Sequence, residues 1–278
     1  MATIAALALD FEEWLEGWDR WTGSHGVRAE QRSVLVEDQP MCVFEDASAH
    51  GTPLLLLHSL DPLTSSVEMR RLFDMFRHER PVVAPDLPGY GLSSRDVRAE
   101  AAPLLLSAVE EALEDTARRF RSKVHIVAAR GSCHLAWAVA AADAERVSSL
   151  TLISPTPSAA PVPPRRPTTT CAQAPLSRLL SKVRESERKV VALDVSLRSL
   201  DRARGYPLSM PAHLVHDGQA LDPRWLGALG RLPAWEVTCM PAVSGHLHTT
   251  LACSMARAMR PFLADIDEAS RSPVEERP

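Results

Sequence analysis

Hydrophobic positions fall into two patterns that alternate along this chain. Short continuous apolar runs, bounded by turn residues, occur at 53–58, 81–85, 124–128, 150–154, 212–217 and 235–240. Runs of that length and continuity predict strands buried on both faces, the mark of a mostly parallel sheet. Between them lie stretches with apolar residues at three- and four-residue spacing, which predict helices at 102–120, 132–142 and 249–264. Residues 64–78 repeat the pattern with Val67, Leu72, Met75 and Phe76 behind Thr64, Ser65 or Ser66 as cap. Ahead of these elements, Ser33 to Glu37 and Met41 to Glu45 read as an antiparallel pair. Strands alternating with helices predict an α/β domain, a central sheet flanked by helices.

Two regions depart from the alternation. Residues 4–22 predict an amphipathic helix with Leu7, Phe11, Trp14, Leu15, Trp18 and Trp21 on one face, suited to packing on the main domain, to a dimer contact or to a substrate entrance. The segment from Pro155 to Met210 opens with a stiff Pro-rich stretch and continues into two short helical patterns, 176–186 and 190–200. It is basic, which suits either a solvated helix face or attraction of an anionic substrate or acyl carrier. The expected organisation is an N-terminal helical extension at 1–29, a core at 30–156 and 207–266, a cap at 157–206, and a frayed polar tail at 267–278.

Composition narrows the function classes. The 278 residues carry a net charge of −4, which gives no reason to expect nucleic acid as a partner. Five cysteines without C-x-x-C spacing argue against a zinc site or a disulfide framework and fit a reducing cytoplasm. No apolar run is long enough to span a bilayer, and the first nine residues lack the basic start of a signal peptide. A small-molecule partner, a monomer or homodimer, and no metal or cofactor are the expectations.

The chemistry-bearing residues cluster where strands end. The strand at 124–128 breaks at Arg130-Gly131-Ser132 straight into an apolar helix. Such a bend requires small residues two positions before and after its tip, because strand and helix cross closely there. Ala128 and Ser132 satisfy that around Arg130. Centring on Ser132 brings in Arg130 and His134, both bulky, and centring on Cys133 brings in Leu135. Asp86-Leu87-Pro88-Gly89-Tyr90-Gly91-Leu92-Ser93 follows another strand, and Val243-Ser244-Gly245-His246-Leu247-His248 follows the last one.

Together these segments resemble the α/β-hydrolase superfamily over residues 30–265. The bend resembles its G-x-S-x-G nucleophile elbow, and 86–93 resembles its D-x-P-G-x-G-x-S loop. The resemblance implies that fold, with a small helical cap inserted after the sixth strand. It also implies that Arg130 occupies the nucleophile's place, with Ser132 or Cys133 as less favoured candidates. His246 matches the first His of the family's G-H-x-x-H loop and is the expected base, whereas His248 falls one residue short of the second. His58-Ser59-Leu60 takes the place of His-Gly-x, so the amides of Leu60 and Gly131 would form an oxyanion hole. Asp86 is expected to be structural. The family's acid position falls on Ala220 or Leu221, neither of them an acid, which leaves Asp217 or Asp222 nearby to be recruited, although Asp222 is better suited to cap a helix starting at Pro223.

An arginine offers donors only and stays protonated, so it cannot attack a carbonyl. It can grip a carboxylate or enolate bidentately. Paired with His246 as base, kept neutral by the neighbouring cation, that suits proton transfer, elimination, cyclisation or another lyase-type step on a small anionic or carbonyl-containing, secondary-metabolite-like substrate. The alternatives are a pseudo-hydrolase that binds a ligand or partner, and a hydrolase using His-activated water, Ser132 or Cys133.

Overall fold

The computed structural model describes residues 29–61, 64–94, 101–155, 208–217, 235–243 and 246–271. The helix expected at 4–22, the cap at 157–206, Asp222 and Gly245 lie outside the described residues.

Eight strands form one sheet in the order β1-β2-β4-β3-β5-β6-β7-β8. They are β1 (Glu30–Val36), β2 (Gln39–Asp46), β3 (Leu54–Leu57), β4 (Val82–Pro85), β5 (Val124–Ala129), β6 (Val147–Ile153), β7 (Ala212–His216) and β8 (Trp235–Cys239). Pairing of β2 with β1 and with β4 is antiparallel; from β4 to β8 every neighbour is parallel. The described helices are α1 (Arg70–Phe76), α2 (Ala101–Phe120), α3 (Ser132–Ala142), α4 (Leu247–Thr250) and α5 (Ala252–Arg271), with a 3-10 turn at Ser66–Met69 leading into α1.

The continuous apolar strands are buried on both faces for a simple reason. Along β3, Leu55 and Leu57 join the cluster beneath α2 and α3, while Leu54 and Leu56 face Leu72, Phe73 and Phe76 of α1 and Met255 and Met259 of α5. Side chains alternate across a strand, so two apolar faces require an unbroken apolar run. Leucine-to-alanine changes at these fully buried positions are expected to cost about 2–5 kcal/mol each.

Two sequence expectations shift. The helix expected at 64–78 is a capped 3-10 turn plus α1, with the Ser65 hydroxyl accepting the Val67 amide at 3.3 Å. The last helix runs to Arg271 rather than to 264, so the expected frayed tail begins inside it. The cause is Asp267, which is anchored to His125 and Arg80 at 3.1 Å each.

Candidate active site at the carboxyl edge of the sheet

The loops that leave the carboxyl ends of β3, β4 and β5 meet at one place. The Asp86 loop is a tight scaffold: its carboxylate accepts the amides of Ser66 at 2.7 Å and Leu92 at 2.8 Å. Gly91 lies at φ +49°, and a Cβ there would fall 2.0 Å from the Asp86 carboxylate, so no other residue fits. Asp86 therefore fastens the 3-10 turn to the β4 loop, the structural part expected of it. Buried His58 fastens the β3 loop in the same way: its Nε2 accepts the Leu87 amide at 3.0 Å, and Nδ1 donates to the Ser59 carbonyl at 2.6 Å.

Between β5 and α3 the backbone turns at Arg130, whose φ of +51° lies in the left-handed region. A non-glycine residue held there costs on the order of 1–3 kcal/mol and persists only where its surroundings fix it. The Arg130 amide donates to the Ile153 carbonyl at 2.8 Å, and the Cys133 amide closes the turn on the Arg130 carbonyl at 3.1 Å. A Cβ on Gly131 would come within 3.1 Å of the Leu60 Cβ, so the β3 loop and the bend are in direct contact. Neither the Leu60 nor the Gly131 amide has a hydrogen-bond acceptor among the described residues. Ser132 and Cys133 point inward and are fully buried. The Ser132 hydroxyl donates to the His58 carbonyl at 2.5 Å, and the Cys133 thiol sits 3.2 Å from the Ala128 carbonyl.

Arg130 extends its Nε to Asp61 Oδ2 at 2.6 Å. The same oxygen lies 3.3 Å from His246 Nε2, so guanidinium and imidazole converge on one carboxylate. On the other side of the ring, His246 Nδ1 lies 3.4 Å from Glu68 Oε2, and Glu68 Oε1 lies 3.1 Å from His248 Nε2. Glu68 is fixed from behind by Ser59, whose amide donates to Oε1 and whose hydroxyl donates to Oε2 at 3.1 Å. The His246 and His248 rings stack with centroids 5.3 Å apart. Arg130, Asp61 and His246 are about one-third exposed, whereas His248 is buried.

These partners set the charges. Burial alone would push the Glu68 pKa up, but the imidazoles of His248 and His246 hold it well below the usual carboxylate range. Asp61 is lowered too, burial being outweighed by His246 and Arg130. Burial opposes the charged form of His246, yet hydrogen bonds to Asp61 and Glu68 raise its pKa to about 9. That overturns the expectation of a histidine kept neutral by the nearby arginine: two carboxylates outweigh one guanidinium, and the ring is protonated near neutral pH.

The site thus brings together Arg130, His246, Leu60 and Gly131 from the sequence expectations and leaves Ser132 and Cys133 in the core. Asp217 is half-buried after β7, while the carboxylate at His246 Nδ1 is Glu68. Asp61 and Glu68 were missed, because one is an ordinary loop acid and the other sits in a polar position of a helical pattern. The only usable signal was proximity to His58-Ser59-Leu60, a segment already marked as part of a site.

No family model matches the chain, and no curated protein matches it. Among solved structures it is similar to wild-type Cfl2 from Burkholderia cenocepacia at 21% identity and a TM-score of 0.64, over 84% of this chain and 95% of that one. It is similar to a membrane phospholipase A, a bacterial virulence factor, at 21% identity and a TM-score of 0.61, over 95% and 92%. The haloalkane dehalogenase DatA from Agrobacterium tumefaciens C58 is similar at 17% identity and a TM-score of 0.66, over 87% and 98%. At such identities the likeness speaks for architecture, and with the mostly parallel eight-stranded sheet covered by helices on both faces it establishes that this chain has the α/β-hydrolase fold.

Proposed function

We propose that this protein is a non-covalent enzyme for a small anionic or carbonyl-containing substrate, with Arg130 on the bend where hydrolytic relatives carry their nucleophile. The observation that carries the reading is the chain Arg130–Asp61–His246–Glu68, with Arg130 at φ +51° on a strand-to-helix turn. A protein with that arrangement has no hydroxyl or thiol at the tip of the turn, so it has no atom for acyl transfer there. It does have an anion grip. Arg130 spends Nε on Asp61, and its two terminal nitrogens have no partner among the described residues. With the Leu60 and Gly131 amides beside them, those donors suit a substrate carboxylate or a developing oxyanion.

Asp61 and His246 are then the proton-handling pair, and Glu68 orients the ring by holding Nδ1. Elimination, cyclisation or proton transfer at a carbon next to a carbonyl are the reaction types this set serves. The test is a thermal-shift screen of small carboxylates and carbonyl compounds, followed by turnover measured by mass spectrometry. His246→Ala is expected to keep ligand affinity within a few-fold and to lose turnover; turnover at the unaltered rate in that variant overturns the reading.

The second reading is a pseudo-hydrolase that binds a ligand without converting it. It is favoured by the Arg130–Asp61 pair itself, which satisfies part of the guanidinium internally. Under it, every ligand found in the screen is recovered unchanged.

A further inference from the structure

The cluster of Glu68, His246 and His248 has a geometry that proton transfer does not require. One ligand-type atom from each residue lies within 4.8 Å of the others. Around a tetrahedral ion with nitrogen and oxygen ligands the donor atoms stand roughly 3.3 Å apart. Glu68 Oε2 is 3.4 Å from His246 Nδ1 and Glu68 Oε1 is 3.1 Å from His248 Nε2, so each histidine nitrogen has one carboxylate oxygen close to that spacing. His248 is the group that demands explanation. Its side chain is 1% exposed, it faces Glu68 through Nε2, and its Nδ1 has no partner among the described residues. A histidine needed only for packing would be replaced at lower cost by an apolar ring.

The surroundings repeat what supports a metal ligand set. His246 turns Nδ1 to the cluster and Nε2 to the Asp61 carboxylate, so an ion that displaces the Nδ1 proton leaves the carboxylate–histidine–metal relay that fixes tautomer and ring orientation. Ser59 holds both oxygens of Glu68 through its amide and hydroxyl, so the carboxylate is aimed before any ion arrives. His246 is 28% exposed, which leaves a path from solvent to the cluster.

We infer that Glu68, His246 and His248 form a binding site for one divalent transition ion of the zinc, cobalt or nickel kind, with Asp61 and Ser59 as its supporting shell. It runs against the metal-free site expected from the sequence, because cysteine spacing carries no information about a His-x-His pair joined by a distant Glu. It shares its place with the proposed function, but its readout is binding and not turnover, so the two fail separately. An ion here would lie beside the Arg130 grip and could take a substrate oxygen in its open position.

The experiment is titration of the full-length, chelator-stripped protein with Co2+, followed by absorbance, and with Zn2+ in competition with a chromophoric chelator. One equivalent of Co2+ with visible bands of nitrogen and oxygen ligation, free of thiolate charge transfer, is expected. Glu68→Gln and His248→Ala should lose that equivalent, and Asp61→Asn should weaken it by about 10- to 100-fold. Cys239→Ser, which alters an exposed thiol that is not among the cluster's ligand atoms, should change nothing. Absence of a stoichiometric site in the unaltered protein, thiolate bands in its spectrum, or full retention of binding in Glu68→Gln would overturn the assignment. The first two outcomes need no variant to fold.

Discussion

Opposite edges of the sheet each hold a histidine set between polar partners, and the two make different uses of the same residue types. At the amino edge, His125 of β5 lies 2.7 Å from the Ser149 hydroxyl through Nδ1 and 3.1 Å from Asp267 through Nε2. That is a serine, a histidine and an aspartate in one line, the set associated with acyl transfer. Yet Ser149 and His125 have no exposed surface, so no substrate can reach the hydroxyl. At the carboxyl edge no serine or thiol stands at the bend, but Arg130, Asp61 and His246 all reach solvent. Access and charge, rather than the list of residue types, separate an anchor from a site.

Electrostatics follow the same division. Burial lowers the His125 pKa, with Arg80 adding to it and Asp267 opposing, so the ring stays neutral. His246 is raised to about 9 by its two carboxylates despite its own desolvation. One histidine is a neutral hydrogen-bonding strut that ties α5 to β5. The other is a charged member of a network balanced by Asp61 and Glu68.

The sharpest way to break this contrast is to remove each ring. His246→Ala should lower turnover by about 10^2- to 10^4-fold with little effect on melting temperature, as removal of a general acid or base does. His125→Ala should do the reverse, lowering stability by about 2–4 kcal/mol in a denaturant titration while the folded fraction keeps its activity. Next in size, Arg130→Met should weaken binding of anionic ligands by roughly tenfold or more, read by isothermal titration, because a bidentate charged contact is lost.

A subtler comparison uses acid. Asp267 is held at about 2, burial being outweighed by hydrogen bonds from His125 and Thr52 and by Arg80. Its folded pKa lies below its unfolded one, so its contribution is complete above about pH 4 and disappears as pH falls towards 2. His125 adds a loss at milder acidity, since only the unfolded chain takes up its proton as pH drops below about 6.5. Asp267→Asn should therefore flatten the lower part of the stability–pH curve measured by urea unfolding. His213, lowered to about 4 by burial, adds a third slope between about 6.5 and 4, which His213→Phe should remove.

The fold was legible because apolar continuity is a local property: β3, β5 and β6 announce themselves as strands without knowledge of their neighbours. The bend at Arg130 was legible for a related reason, since strand, tight turn and helix are contiguous in sequence. What could not be read was partnership across loops. Asp61 and Glu68 reach His246 from the far end of the chain, with no spacing rule to connect them. Nor does sequence give the sum of charges around a ring, which is why His246 was expected neutral. The helix extending past residue 264 was hidden by polar composition, because Asp267 is held by tertiary contacts and not by an apolar stripe.

The central claim is that no nucleophile stands at the bend after β5. It is tested most directly by intact-mass and peptide mapping of the native full-length protein after exposure to a fluorophosphonate and, separately, to iodoacetamide. The account predicts alkylation at the exposed thiols Cys239 and Cys253, no alkylation of Cys133 and no fluorophosphonate adduct on Ser132. A stoichiometric adduct on Ser132 or Cys133 in the folded protein would contradict it.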